Sequence, residues 1–231
     1  MIEKKVALVS GASRGIGAAT ASALHAAGWA VSLGMRRPEA PAWADASVHI
    51  HAYDATDPAS PEAWAAAAHA HFGRIDAVIA NAGIMHRKTV IEASDEEFAQ
   101  MMTVNVDAPR RLVRACWAPL VACGSGRVVI VASLSGKRVK NAISSAYSVS
   151  KFAAVALSHA IRQTGFDLGV RATAVCPGFV ATDMGTPFAG PDAGELTQPE
   201  DIAKSIVYLV GLPNRASVSE FWVNALRDDS Y

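Results

Sequence analysis

The strongest constraint on this chain is an alternation. Short apolar runs at Val6–Ser10, Ala30–Gly34, Ile75–Ala80, Arg127–Ala132, Arg171–Val175 and Val218–Val223 recur between stretches of helical pattern. Strands covered by helices on both faces read as continuous apolar sequence, and their alternation with helices builds a parallel α/β sheet. Val48-His49-Ile50-His51-Ala52 alternates residue by residue instead, which places a half-exposed strand at the sheet edge. With right-handed crossovers, the expected architecture is one doubly wound parallel sheet of seven strands, order 3-2-1-4-5-6-7, with helices on both faces. The 231 residues are expected to form a single domain, 1–231, with no internal repeat, linker or domain boundary.

Composition removes several classes of function. The formal net charge is zero, whereas a nucleic-acid binder carries a basic surplus. No apolar run reaches the length of a membrane span. The first strand begins within a few residues of Met1, which leaves no room for a targeting segment. Cys116, Cys123 and Cys176 are odd in number and lack metal-ligand spacing, so reduced thiols in a cytoplasmic protein are expected. His49/His51 and His69/His71 lack a third ligand nearby and read as surface residues rather than a metal site.

Ligands of open parallel sheets sit beyond the strand C-termini, where the strand order reverses. The stretch that falls there is Ser10-Gly11-Ala12-Ser13-Arg14-Gly15-Ile16-Gly17, between the first strand and an Ala-rich helix, Ala18 to Ala27. Unpaired N–H groups and the positive end of a helix dipole converge on such a turn, and glycine lets backbone approach an anion. The expected guest is a dinucleotide pyrophosphate. The spacing is G-x-x-x-G-x-G, and no Gly-Lys-Ser/Thr follows as in a mononucleotide loop. A tight turn that binds nothing is the bland alternative.

The second strand ends in Gly34-Met35-Arg36-Arg37, with no carboxylate for a ribose 2′-hydroxyl. Arg36, Arg37 and Arg14 suit a 2′-phosphate. Charge-assisted bonds of about 1.5–3 kcal/mol favour NADP over NAD by about ten-fold or more. A solvated basic turn is the other reading. Asp54 follows the third strand, where it suits either an adenine amino group or a plain turn. Asn81-Ala82-Gly83 ends the fourth strand beside the expected cleft, and a purely structural turn explains it equally.

Ser94-Asp95-Glu96-Glu97 is a capping box. The helix it opens is expected to run past Asn105 to about Cys123, interrupted at Pro109. Proline frees the carbonyl four residues earlier, that of Asn105, which offers a place for a water; a simple kink is the plainer reading. Tyr147-Ser148-Val149-Ser150-Lys151 puts a phenol and an ammonium on one helix face. A charge about 5 Å away at an effective dielectric of 20 contributes about 3 kcal/mol, so Lys151 is expected to lower the Tyr147 pKa toward neutrality. An exposed i, i+4 pair is the alternative. Ser133 ends the fifth strand beside the cleft, within reach of Tyr147.

With these residues in place the chain resembles the short-chain dehydrogenase/reductase family over nearly its whole length. The glycine turn, Asn81-Ala82-Gly83, Asn105, Ser133, Tyr147/Lys151 and Pro177-Gly178 occur in the family's order. The resemblance implies a Rossmann-like fold and hydride transfer between NADP(H) and a small carbonyl or secondary alcohol, in a homodimer or homotetramer. It implies Tyr147 as general acid/base, Ser133 on the substrate oxygen, Lys151 on the nicotinamide ribose, and Asn105 anchoring a proton-relay water. Ser10, Gly11, Ser13, Arg14, Gly15, Ile16 and Gly17 are then phosphate and ribose contacts, and Asp54 and Ala55 adenine contacts. Asn81, Ala82, Gly83, Val104, Pro177, Gly178, Val180 and Thr182 complete the cofactor contacts. Two features depart from the family: Ser10 replaces a threonine, and the C-terminal glycine-rich turn is missing. Ser135 rivals Ser133, whose distance from Gly136 fits the family better.

Leu134, Ser135, Ile84, Met85, His86 and Phe179 are expected at the substrate pocket, behind a small lid between Thr182 and Pro199. Arg87, Lys88, Lys137, Arg138 and Lys140 fall near its mouth, where they read as solvated charges or as attraction for an acidic substrate. A non-catalytic dinucleotide sensor is the alternative function, since fold alone does not decide chemistry. The Ser133/Tyr147/Lys151/Asn105 set argues against it.

Overall fold

The computed structural model describes residues 4–186 and 196–225. The elements run β1 (Val6–Ser10), α1 (Gly15–Ala26), β2 (Ala30–Met35), β3 (Val48–Ala52), α2 (Ser60–Phe72) and β4 (Ala77–Ala80). There follow α3 (Asp95–Met102), α4 (Ala108–Ala115), α5 (Trp117–Ala122), β5 (Arg127–Val131), α6 (Ser145–Gly165), β6 (Arg171–Pro177), α7 (Pro199–Gly211) and β7 (Glu220–Val223). All pairings are parallel, and the order is β3-β2-β1-β4-β5-β6-β7, as the apolar runs predict.

Alternating strand residues feed two cores. Val6, Leu8, Val78, Val128 and Ile130 face a layer that includes Trp64 of α2, Leu112 of α4 and Val155 of α6. Ala7, Val9, Ile79, Val129 and Val131 face Leu24 of α1 and Ile202 and Ile206 of α7. The strands between are buried along their length, whereas β3 is only partly buried, consistent with its alternating sequence. Its His49 stacks on His71 at 5.0 Å and lies 6.0 Å from His51. Ser32 of β2 accepts the indole proton of Trp64 at 2.8 Å and lies 2.8 Å from His49 Nδ1.

Several boundaries moved: β2 runs on to Met35, β5 stops at Val131, β6 runs on to Pro177 and β7 begins at Glu220. β4 begins after Ile75 and Asp76, because the buried Asp76 carboxylate takes the Val6 N–H (2.8 Å) and the Arg74 guanidinium (2.7 Å) beneath the sheet. The expected single helix through Pro109 is broken up. A π turn spans Thr103–Asp107, and the Ala108 N–H reaches back five residues to the Thr103 carbonyl. One wide turn thus absorbs the misfit just ahead of the proline, an arrangement frequent at functional sites. The expected lid lies largely outside the described residues.

Candidate active site

The glycine turn is braced from the neighbouring strand. Ser10 Oγ accepts the N–H groups of Asn81 (3.0 Å) and Ala82 (3.1 Å). Asn81 Nδ2 donates to the Ser10 carbonyl (3.0 Å) and the Gly11 carbonyl (3.3 Å). Gly11 and Gly15 adopt φ of 66° and 55°, the left-handed region that glycine enters without strain. A Cβ on Gly17 would lie 2.2 Å from the Gly11 carbonyl oxygen. The first turn of α1 has no side-chain cap, so its N–H groups remain available to an anion.

These elements open one cleft of about 1300 Å³ at the C-terminal edge of the sheet. Gly11, Ser13, Arg14, Gly15 and Ile16 line it near the turn; Arg36, Arg37, Asp54 and Ala55 line the flank after β2 and β3. Asn81, Ala82, Gly83 and Val104 line its floor, and Pro177, Gly178, Val180 and Thr182 the loop after β6. Ser10 and Gly17 stand behind the wall: their polar atoms and closeness of approach build the cradle rather than its surface. Asn105 is likewise behind the wall.

Two charged residues already have partners within the chain. Arg14 pairs with Asp183 at 2.5 Å, with both side chains largely exposed. Such a pair contributes about 0–1 kcal/mol, so the guanidinium is recruited elsewhere at little cost. Asp54 Oδ1 accepts the Thr56 N–H (2.9 Å) and hydroxyl (2.8 Å), a turn that holds its carboxyl below the usual range, with Arg36 adding to the effect.

Ser133, Tyr147 and Lys151 also line this cleft. Ser133, the neighbour that opposes the effect of burial on the Tyr147 phenol, donates from Oγ to the Pro177 carbonyl at 3.5 Å and accepts the Ser135 N–H at 3.1 Å, so Ser135 supports its rival. Lys151 Nζ lies 5.6 Å from the phenol ring centre and donates to the Val131 carbonyl at 2.9 Å. Asn105, in the π turn, bonds the backbone of Ile84 through Oδ1 and Nδ2 (2.9 Å each) and donates to Ser150 Oγ at 2.9 Å. Ser150 Oγ in turn donates to the Tyr147 carbonyl at 2.7 Å. The Asn105 side chain therefore ties the loop after β4 to the helix that carries Tyr147.

The expected acidification of the phenol is not found. Burial pushes the Tyr147 pKa up to about 12, and only the Ser133 bond opposes it. Burial brings Lys151 down to about 8. The reason is desolvation: neither ionised form is well hydrated in this wall, so the phenol holds its proton and the ammonium gives its own up more readily.

Of the expected pocket residues, Ile84, Met85, Leu134, Ser135 and Phe179 line the cleft, while His86 turns to Gln100 at 2.7 Å. Arg138 and Lys140 line it; Arg87 and Lys88 are not on its wall. Lys137 is drawn to Glu220 at 2.9 Å. Gln100, Asn141, Ser144 and Asn224 also line it and went unnoticed in the sequence. Two had a signal: Gln100 precedes Val104 by one helical turn, and Asn141 caps a short turn by accepting the Ser144 N–H at 3.1 Å.

The left-handed glycines, the uncapped helix and the cations beside β2 fit a dinucleotide phosphate. Comparisons with known proteins agree. Residues 5–190 match the family model described as short chain dehydrogenase. An agropine synthesis reductase of Rhizobium rhizogenes is 38% identical over 98% of this chain and 54% of its own length. A glycine betaine reductase of Emericella nidulans is 32% identical over 95% of this chain and 18% of its own. This chain thus spans about half, or less, of these relatives. The crystal structure of an alcohol dehydrogenase from Thermococcus sibiricus, complexed with 5-hydroxy-NADP, superposes with a TM-score of 0.85 at 29% identity, covering 99% of this chain and 100% of that one.

Proposed function

The chain belongs to the short-chain dehydrogenase family, and from that premise we propose that it is an NADP(H)-dependent oxidoreductase acting on a carbonyl or secondary alcohol. The observation that carries this reading is the meeting of Ser133, Tyr147 and Lys151 with the glycine turn in one cleft. Gly11 to Ile16 would hold the pyrophosphate, Arg36, Arg37 and Arg14 the 2′-phosphate, and the loop from Pro177 to Thr182 the nicotinamide. When bound, NADPH supplies the hydride for the carbonyl carbon.

Tyr147, with its pKa near 12, keeps its proton at neutral pH and so acts as the acid that protonates the substrate oxygen. Ser133 holds that oxygen beside the phenol. Lys151, near 8, gains and loses a proton close to neutrality and so can restore what Tyr147 gives up. Asn105 fixes the helix that aims the phenol. A homodimer or homotetramer through α4 and α6 belongs to the same reading; the exposed Val149 and Phe152 of α6 support it. The relative's NADP analogue supports the choice of cofactor.

The test is nucleotide oxidation with a panel of ketones, aldehydes and oxo acids. NADPH should exceed NADH in kcat/KM by about ten-fold or more; equal values refute the NADP assignment. Tight NADPH binding with no carbonyl consumed would leave a nucleotide sensor instead.

A further inference from the structure

The helix that carries the reacting pair continues into a second polar cluster. Tyr147, Lys151, Val155 and His159 follow one another at four-residue steps along α6, and such a row forms one continuous ridge of a helix. At the far end of that ridge stands a carboxylate from another element. Glu220, the first residue of β7, places Oε1 3.0 Å from His159 Nε2. It also accepts the Lys137 ammonium, with Nζ 3.0 Å from Oε1 and 2.9 Å from Oε2. The indole N–H of Trp222 donates to Oε2 at 2.8 Å, and Lys137 Nζ lies 5.2 Å from the centre of that ring. Burial works against the charge on Glu220, yet the bonds from Lys137 and Trp222 and the charges of Lys137 and His159 hold its carboxyl below the usual range. A partly buried carboxylate met by several donors is fixed in place in a way that a lone surface pair is not.

What Glu220 holds is the turn on the substrate side of the cleft. Lys137 directly follows Leu134–Gly136, the short helical turn capped by Ser133, and its N–H returns to the Leu134 carbonyl at 2.9 Å. Leu134 and Ser135 line the cleft beside Ser133. The inner side of the turn is pressed onto α6: a Cβ on Gly136 would lie 2.5 Å from the Lys151 carbonyl oxygen. From Glu220, β7 runs to Val223, whose carbonyl accepts the Gly178 N–H at 2.7 Å in the loop after β6. One carboxylate thus joins the Ser133 turn, the helix of Tyr147 and the strand that borders the Pro177–Thr182 loop.

We propose that Glu220 is a positioning residue for hydride transfer: by holding Lys137 it sets the Ser133 turn against α6, so that Ser133 and Tyr147 meet the substrate oxygen together. This rests on the oxidoreductase reading above. Glu220 and Lys137 are not on the cleft wall, so both act through the turn rather than on the reactants.

The experiment follows NADPH oxidation by 2,3-butanedione, or by whichever carbonyl of the panel above the wild type reduces fastest. It compares the wild type with Glu220→Gln, which keeps the side chain's shape and removes its charge, with Lys137→Met, and with the double variant. Each single substitution should lower kcat by about ten-fold or more, the scale on which a small misplacement of reacting groups is felt. NADPH affinity, read by fluorescence titration, should stay put. The double variant should lose no more than the worse single, as expected of residues that act as one pair. With NADPH deuterated at C4, the isotope effect on kcat should grow in the variants, because the hydride step then limits turnover. An unchanged kcat in Glu220→Gln overturns the proposal and leaves the oxidoreductase reading intact. A fall in Tm alone does the same, as does a loss of NADPH affinity that matches the loss of kcat, since either makes the cluster part of the scaffold. Losses that multiply in the double variant overturn the pairing of Lys137 with Glu220. Should Glu220→Gln fail to fold, Lys137→Met and its isotope effect decide the matter. A wild type that consumes no carbonyl at all removes the oxidoreductase reading and this proposal with it.

Discussion

The two halves of the cleft are built on opposite principles. The glycine turn is made of backbone: left-handed Gly11 and Gly15, a close-packed Gly17 and uncapped N–H groups, with Ser10 and Asn81 serving only as a brace. Its charged residue, Arg14, is 72% exposed. The other half is made of side chains sunk in the wall, with Asn105 2% exposed, Lys151 5% and Tyr147 8%. A backbone cradle contains nothing to titrate and is damaged chiefly by adding atoms. A buried acid/base pair is damaged by removing atoms, and its proton affinities are set by how little water reaches it.

Substitutions can break this contrast. The largest effect is expected from Tyr147→Phe, which removes the proton donor and leaves the cradle alone. Its kcat should fall by about a hundred-fold or more while NADPH affinity, read by fluorescence titration, stays put. Retention of more than about a tenth of kcat would remove Tyr147 from the chemistry, given what such donors contribute. Gly17→Ala is the converse. Its new Cβ would meet Gly11 O at 2.2 Å and Asn81 Nδ2 at 2.5 Å. Overpacking of this kind costs about 1–3 kcal/mol, so Tm and NADPH affinity should fall together. Gly211→Ala, with nothing within 4 Å, is the control and should lose neither; a harmless Gly17→Ala would mean that the turn adjusts freely.

The smallest effect is one of pH. Lys151 is depressed from 10.5 to about 8 by burial, so between those values the unfolded chain binds more protons than the folded one. Stability of the ligand-free protein should therefore rise as pH climbs through that window. Tyr147, raised from 10.0 to about 12, works the other way and erodes the gain above pH 10. Lys151→Met should flatten the rise in Tm from pH 8 to 10. An unchanged slope would show that water reaches the ammonium after all.

The same contrast explains what the sequence disclosed. Sheet order followed from the apolar runs, because burial on both faces writes itself into strand composition, and the alternation in β3 marked the edge for the same reason. The glycines and the Tyr147–Lys151 spacing were legible because local geometry alone requires them. The phenol's pKa was not: spacing gives the distance to Lys151, but burial is a sum over residues from β5, α6 and the loops after β4 and β6. The π turn was hidden for a related reason. Pro109 announces a lost hydrogen bond, yet a kink and a widened turn satisfy that loss equally. What favours the turn here is the tertiary bonding of Asn105 to Ile84 and Ser150.

At the far edge, Trp64 can only donate its indole proton, so Ser32 accepts it and also lies 2.8 Å from His49 Nδ1, where the imidazole tautomer sets which of the two donates. Burial and the adjacent His71 and His51 rings already make His49 reluctant to charge. Acid that does force a second proton onto this ring makes Nδ1 a donor toward Ser32, whose oxygen then accepts from both Trp64 and His49. Acidification therefore charges a ring that burial keeps neutral, on the side of the sheet remote from Tyr147.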